Sequence, residues 1–403
     1  MMLLANREYS ITGDSMRIVF VQAGDFKEAV ERFDAGNDET YSNQRSSVER
    51  VAELVSEHAQ VIVICTRTAS YDTILSNGVR AIGLDEHAPN GNQTLADLIK
   101  LLNPTHLIIR APRTELIKLG VSIGSKVLPI FADSFNQPSI RERFRLRRLV
   151  RTLNDPRIEI VSNHNLNASR SLCSIGVNPS KVIPYDYARA YTPDQFAPKK
   201  TPQTPSQIRI IYVGVVSHAK GIFDVLDALP LINNKGIKAT LTIVGDHQQT
   251  LDQRIDSLGL NNNVQLLGRQ TNAQVIALMR EHDAVIVPSR PTYPEGLPHT
   301  IFEALATRTP LIASDHPMFT PVLEDEQSCV MFKAGDPASI ADATHRLLNT
   351  PGLYKSISSN TPTVWKKLMM PFAWHDIINL WLAGSSSDIE KLHTGSIQSL
   401  TTK

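Results

Sequence analysis

The stretch DAVIVPSRPTYPEGLPHTIFEALATRTPLIAS, residues 283–314, decides how the chain is read. It opens on the continuous apolar run AVIV and passes through a proline-rich loop with one glycine. It continues as IFEALA at helical spacing and closes on a second apolar run, LIAS. Short continuous apolar runs are the mark of strands buried on both faces, so strand, helix, strand in this order is a parallel βαβ unit. Pro298 can open the helix, since the N–H that proline lacks would find no partner in a first turn. The free N–H groups and positive dipole end at that point suit an anion such as a diphosphate.

Two carboxylates flank this point: Glu303 inside the expected helix and Glu295 in the loop, eight positions earlier. Carboxylates accept hydrogen bonds from hydroxyls, and a nucleotide sugar carries a hydroxyl-rich ring at each end of its diphosphate. Alone, two glutamates at this spacing read as solvated helix charge. The strand before them, the EGLP turn and the helix-opening proline turn that reading toward a binding site.

Outward from this stretch the same alternation repeats. Upstream lie IRIIYVG (208–214), ATLTIVGD (239–246) and VQLLG (264–268), each followed by a helical pattern, and downstream lies CVMFK (329–333). Residues 208–370 are thus a doubly wound α/β domain. The runs RIVFV (17–21), VIVIC (61–65), HLIIR (106–110), KVLPIF (126–131) and IEIVS (158–162) make residues 16–195 a second Rossmann-like domain. FAPKKTPQTPSQ, residues 196–207, has three prolines and no apolar period and reads as the linker. Residues 371–384, PFAWHDIINLWLAG, read as a C-terminal helix crossing back to the first domain. Residues 385–403, rich in serine and threonine, read as a disordered tail. Residues 1–15 precede the first strand and read as a mobile extension or a misassigned start.

Composition narrows the function classes. Over 403 residues, 41 lysines and arginines balance 40 acids, so no overall field recommends nucleic acid as a partner. Three scattered cysteines, Cys65, Cys173 and Cys329, make neither a zinc site nor a disulfide framework and fit a reducing cytoplasm. No apolar run approaches the roughly 20 residues that span a bilayer. QAGDFKEAVERF after the first strand lacks the GxGxxG turn of a dehydrogenase, no GxxxxGK[ST] loop occurs, and no D-x-D pair offers a metal site. No metal and no cofactor are expected.

The stretch 295–303 resembles the E-x7-E motif of family-4 retaining glycosyltransferases, which have the GT-B fold of two Rossmann-like domains facing a central cleft. YVGVVSHAKGIFDVLDAL (212–229) resembles that family's phosphate loop. The similarity is one of sequence over about residues 208–350 and of layout alone over 16–195. It implies transfer of a hexose-type sugar from a nucleotide diphosphate sugar to a glycan, lipid-linked or small-molecule acceptor. Glu303 would bind the donor ribose, and Glu295 with the backbone of Gly296 and Leu297 would hold the transferred sugar. Gly214 and Lys220 would face the diphosphate, with His299 and Thr300 at the helix start completing the donor site. Lys220 and Glu295 would be the catalytic pair. A non-catalytic nucleotide-sugar-binding protein and a GT-B sugar-nucleotide epimerase share the same shape and stand as alternatives.

Two departures from the family pattern matter. Val215 stands where the family carries an arginine after the loop glycine, removing one diphosphate cation; Arg290, or else His218, is the expected replacement. Arg308 stands where a small residue or glycine is usual and reads as a tolerated surface turn. On the acceptor side Asp133 and His164, at strand ends of the first domain, are the candidates, while His106 reads as packing. SIRERFRLRRLVRTLN carries six arginines between Arg141 and Arg151, with Ile140 and Phe144 among them. A solvated helix face is its plain reading, and peripheral contact of residues 140–151 with an anionic membrane its sharper one.

Overall fold

The computed structural model describes residues 16–401 apart from 42, 58, 59, 89, 90, 136–139, 203, 205 and 247, and the side chains of Ile140 and Arg141. The first domain holds β1 (Arg17–Gln22), β2 (Gln60–Cys65), β3 (Arg67–Ile74), β4 (Arg80–Asp85), β5 (His106–Ile109), β6 (Lys126–Phe131), β7 (Val161–His164) and β8 (Val182–Asp186). The second holds β9 (Gln207–Val213), β10 (Lys238–Val244), β11 (Val264–Gly268), β12 (Ala284–Val287), β13 (Leu311–Ser314) and β14 (Val330–Phe332), and β15 (Phe372–Ala373) follows.

The second sheet runs β11-β10-β9-β12-β13-β14, all parallel, with Ile210 paired to both Leu241 and Ala284. Its inner strands β12 and β13 are buried on both faces because helices cover both, whereas the edge strand β11 is half-buried. The helices Ile222–Asn234 and Pro337–Asn349 pack on one side with Ile210, Leu241 and Ile312, and the helix His299–Ala306 packs on the other with Ile211, Val285 and Val287. The order reverses between β9 and β12, so the loops after these two strands part and leave a crevice.

The first sheet runs β15-β8-β7-β6-β5-β1-β2-β4-β3, parallel except for β3. Its reversal lies between β5 and β1. The β3–β4 hairpin was not legible because β3 is an edge strand whose side chains alternate between exposed and half-buried. A Cβ at Gly83 would lie 2.3 Å from the Ala69 carbonyl oxygen, so only glycine allows this hairpin to close. The strand expected at 158–162 forms at 161–164; a turn from Ile158 N–H to the Asp155 carbonyl holds the residues before it, although Ile158 and Ile160 are buried as expected.

The chain returns to the first domain at its end. Phe372 and Ala373 pair with Tyr185 and Asp186 as β15, and the helix Trp374–Ala383 buries Trp374, Ile377, Ile378 and Trp381 in that domain's core. The disordered tail expected at 385–403 is corrected. Residues Ser386–Thr394 and Ile397–Thr401 are helical, Ser385 caps the first of these helices, and Leu392 and Ile397 are buried against the first domain. The low apolar content misled because two well-placed apolar side chains and a cap suffice when a packed surface is already present.

Arg308 is likewise more than a surface residue. It takes φ +57°, a conformation that suits glycine, and its guanidinium donates to the carbonyls of Phe196 (3.2 Å) and Ser359 (3.0 Å), tying the linker to the second domain. Among the described residues no helix is long and apolar enough to cross a membrane. Leu392→Ala is expected to destabilise the protein by about 2–5 kcal/mol, read as a lower urea midpoint at unchanged slope. A midpoint equal to wild type would mean that this helix contributes no packing.

Candidate active site

The loops after β9 and β10 are placed by backbone contacts that only glycine permits. Gly221 takes φ +76°, and a Cβ there would lie 2.0 Å from the Pro288 carbonyl oxygen, so the turn holding Lys220 presses directly on the end of β12. A Cβ at Gly245 would lie 2.2 Å from the Gly214 carbonyl oxygen, so the loops after β9 and β10 meet backbone to backbone. Pro298 precedes the helix His299–Ala306, and Thr300 Oγ1 donates to the Val213 carbonyl (3.1 Å), fixing the helix start against the end of β9.

The structure brings Lys220 and Glu295 together. Lys220 Nζ donates to Glu295 Oε1, which also accepts from Ser289 Oγ (2.7 Å), and the ammonium lies 4.3 Å from the centre of the Tyr293 ring. Gly296 follows at the interdomain boundary; a Cβ there would lie 3.6 Å from both the Ala132 carbonyl oxygen and His164 Nδ1. Leu297 turns its side chain into the second domain's core, which anchors the loop.

Glu303 is set apart from this pair. It is buried one turn into the helix, where Oε1 accepts from Asn272 Nδ2 (2.6 Å). Burial pushes its carboxyl up to about 7, against the opposing pull of the Arg189 cation and the Asn272 hydrogen bond. His299 is held neutral by burial and by the neighbouring Arg189 and His164, which push its pKa well down.

A cavity of about 460 Å³ lies between the domains. Gly214, Val215, Gly245, Asn272, His299, Thr300 and Glu303 line it from the second domain, and Gln22, Tyr41 and Arg110 from the first. Lys220, Glu295, Arg290 and His164 do not contribute to this lining. The expected site therefore divides into a cavity wall around Glu303 and a polar cluster around Lys220 and Glu295.

The expected replacements for the missing loop cation do not take that place. Arg290 forms a two-pronged ion pair with Asp224, at 2.8 and 2.5 Å, because the helix Ile222–Asn234 offers that carboxylate beside it. His218 stacks on Phe223 at 4.0 Å between ring centres.

Of the expected acceptor-side residues, His164 is buried, with Nε2 3.3 Å from Asp186 Oδ1 and its ring stacked 5.9 Å from that of His299. Asp133 is half-buried, and desolvation raises its carboxyl pKa. His106 packs edge-on against Trp381, at 5.3 Å between ring centres. Asn272, Asp186, Arg189 and Arg110 escaped the sequence reading. Arg110 alone carried a signal, a charge closing the apolar run HLIIR at a strand's carboxyl end. Among the described residues no group of three or more His, Cys, Asp or Glu is placed to hold a metal ion.

Two Rossmann-like domains facing a cleft, each presenting the carboxyl ends of its strands, define the GT-B fold. Solved structures share it. Sucrose-phosphate synthase from Thermosynechococcus elongatus aligns with a TM-score of 0.64 at 15% identity, over 92% of this chain and 100% of that one. Anabaena HepE in complex with UDP aligns with a TM-score of 0.62 at 15% identity, again over 92% of this chain and 100% of that one. Residues 194–364 match the family model for glycosyl transferases group 1. Phosphatidyl-myo-inositol mannosyltransferase of Mycobacterium leprae is 35% identical over 131 residues, 32% of this chain and 34% of that protein. Alpha-D-kanosaminyltransferase of Streptomyces kanamyceticus is 27% identical over 153 residues, 38% of this chain and 39% of that protein. The match thus spans about a third to two fifths of these curated relatives' length.

The raised Glu303 pKa has a consequence for stability. The folded state binds this proton more tightly than the unfolded chain, so Glu303 costs stability as pH rises from about 4.5 to about 7, and the cost is constant above that. Glu303→Gln, which cannot ionise, should therefore gain on wild type across this window, by on the order of 3 kcal/mol at its top. Urea titrations at pH 4.5, 6 and 8 check this; a difference independent of pH would show that Glu303 ionises as freely folded as unfolded.

Proposed function

We propose that the protein is a retaining glycosyltransferase of the family-4 type, transferring a hexose-type sugar from a nucleoside diphosphate sugar to a hydroxyl acceptor, without metal or cofactor. The observation that carries this reading is the placement of Glu303 and its Asn272 partner in the wall of an interdomain cavity, at the start of whose bounding helix Glu295 meets Lys220. The matched group 1 model and the UDP held by the HepE neighbour support it.

In this reading Glu303 accepts from the ribose hydroxyls and Glu295 from the transferred sugar. Lys220 exchanges Glu295 for the leaving diphosphate, whose growing charge it stabilises together with the N–H groups at the helix start. The acceptor hydroxyl attacks from the face the diphosphate leaves, and its proton passes to the departing phosphate. His164 and Asp133 border the acceptor side, and closure of the domains excludes the water that would hydrolyse the donor.

Incubation with UDP-, GDP- and ADP-sugars under excess chelator tests the class. Slow hydrolysis marks a transferase, a new nucleotide sugar an epimerase, and neither a pure binder. Glu303→Ala should weaken binding of the bare nucleoside diphosphate roughly 10- to 100-fold, the equivalent of about 1.5–3 kcal/mol for a charged hydrogen bond. Glu295→Ala should leave that affinity unchanged and lower turnover. Equal losses of nucleotide affinity in both variants would sink this division of labour.

Peripheral contact with anionic membrane, and with it a place at the cytoplasmic face, belongs to the same proposal. On the helix Ile140–Leu153, Leu146, Leu149 and Leu153 are buried, whereas Phe144 is 63% exposed among the exposed Arg143, Arg145, Arg147 and Arg148. Arg148 pairs with Glu115 (2.8 Å), which leaves the other three facing solvent. Flotation with anionic vesicles at low salt is expected to carry wild type up and to leave behind the variant with these four arginines changed to glutamine. Wild type that stays unbound would make the helix a solvated face.

A further inference from the structure

Arg110 lines the interdomain cavity from the first domain, directly after β5 and beside Gln22 at the end of β1, where the order of that sheet reverses. It is half-buried. Its Nη1 donates to Gln22 Oε1 (3.1 Å) and Nη2 to the Tyr187 hydroxyl (3.2 Å), and the guanidinium lies 5.3 Å from the centre of the Trp374 ring. All three neighbours are uncharged, and among the described residues no carboxylate pairs with it.

The other charges on the cavity wall are engaged. Arg269 pairs with Asp246, Glu28 with Arg32, and Asp25 caps its helix while accepting from Tyr71. A half-buried guanidinium whose partners are all neutral gains a counter-charge when an anion reaches it, and its remaining N–H donors form a fork that matches phosphate oxygens. Across the same cavity stand Gly214 and Val215, the loop that lacks its cation, with Val215 54% exposed. Arg290 and His218, the nearer candidates in sequence, are held by Asp224 and Phe223.

We propose that Arg110 binds the donor diphosphate from the opposite domain, in place of the cation missing at Val215. This rests on the donor-site reading above. It makes the first domain a contributor to the phosphate site, so that leaving-group stabilisation is complete only when both walls of the cleft engage the same diphosphate.

The test measures affinities for UDP, GDP and ADP beside uridine, guanosine and adenosine. For the base that binds tightest, Arg110→Gln should lower nucleoside diphosphate affinity roughly 10- to 100-fold and leave nucleoside affinity unchanged. Val215→Arg in the Arg110→Gln background should restore most of the loss, which a merely structural role for Arg110 would not allow. An equal loss for nucleoside and diphosphate, or no rescue, overturns the proposal. With that nucleoside diphosphate saturating, glucuronate and glucose 6-phosphate are compared with glucose. If Arg110→Gln loses affinity only for these anionic sugars, the anion belongs to the acceptor and the donor assignment falls. A wild type that binds no nucleoside diphosphate overturns the donor site as a whole, whereas tight wild-type binding that Arg110→Gln leaves intact overturns this inference alone.

Discussion

The guanidinium of Arg189 ties the two domains together at the cleft. Arg189 follows β8, its side chain 3% exposed, and donates to Asp186 (2.5 Å), itself 2% exposed. Its cation lies 3.5 Å from the centre of the Phe302 ring on the helix of the second domain, and Nη1 reaches His299 Nδ1 at 3.4 Å. Burial alone would raise the Asp186 carboxyl; the Arg189 cation and His164 keep it below its usual value. Removing one partner of such a pair leaves a buried charge uncompensated, at about 3–5 kcal/mol, so the contact fixes where β8 meets the helix His299–Ala306. Glu303, on that same helix, owes part of its ionisation to the same cation.

The remaining charges of the cleft follow a common pattern. Lys220 with Glu295, Arg290 with Asp224 and Arg269 with Asp246 are closed pairs. A diphosphate arriving beside Lys220 exchanges one counter-charge for another, so its net gain is smaller than the bare Coulomb attraction and depends on what takes the released Glu295. In the proposed reading this is the transferred sugar, whose hydroxyls donate to the carboxylate. Coupling of the two exchanges favours the complete donor over the bare nucleotide. Arg110 on the cavity wall has neutral partners, Gln22 and Tyr187, and so has no counter-charge to exchange; in the proposed reading this makes it the stronger determinant of anion affinity.

Much of this architecture was legible because parallel strands buried on both faces leave continuous apolar runs, as β1, β2, β5, β6, β12 and β13 do. The placement of Glu295 and Glu303 about the helix start at Pro298, and of Lys220 in the turn before Gly221, was legible because the glycines and proline around them constrain the backbone locally. The edge hairpin β3–β4 was not, since a strand exposed on one face mixes Arg67, Tyr71 and Asp72 into its run. Nor was the C-terminal pair of helices, whose two buried side chains acquire meaning only from the surface they cover.

The sequence by itself determined two doubly wound domains, the helix start at Pro298 and the carboxylates on either side of it, because periodicity and the conformational limits of glycine and proline act over a few residues. Only the tertiary structure decided which charges meet. Arg290 turned to Asp224, Arg189 to Asp186 and Phe302, and Arg110 was left facing the cavity, because ion pairing depends on which strand ends lie side by side. In a parallel sheet that order is set by crossovers joining residues far apart in the chain, and no local pattern records it.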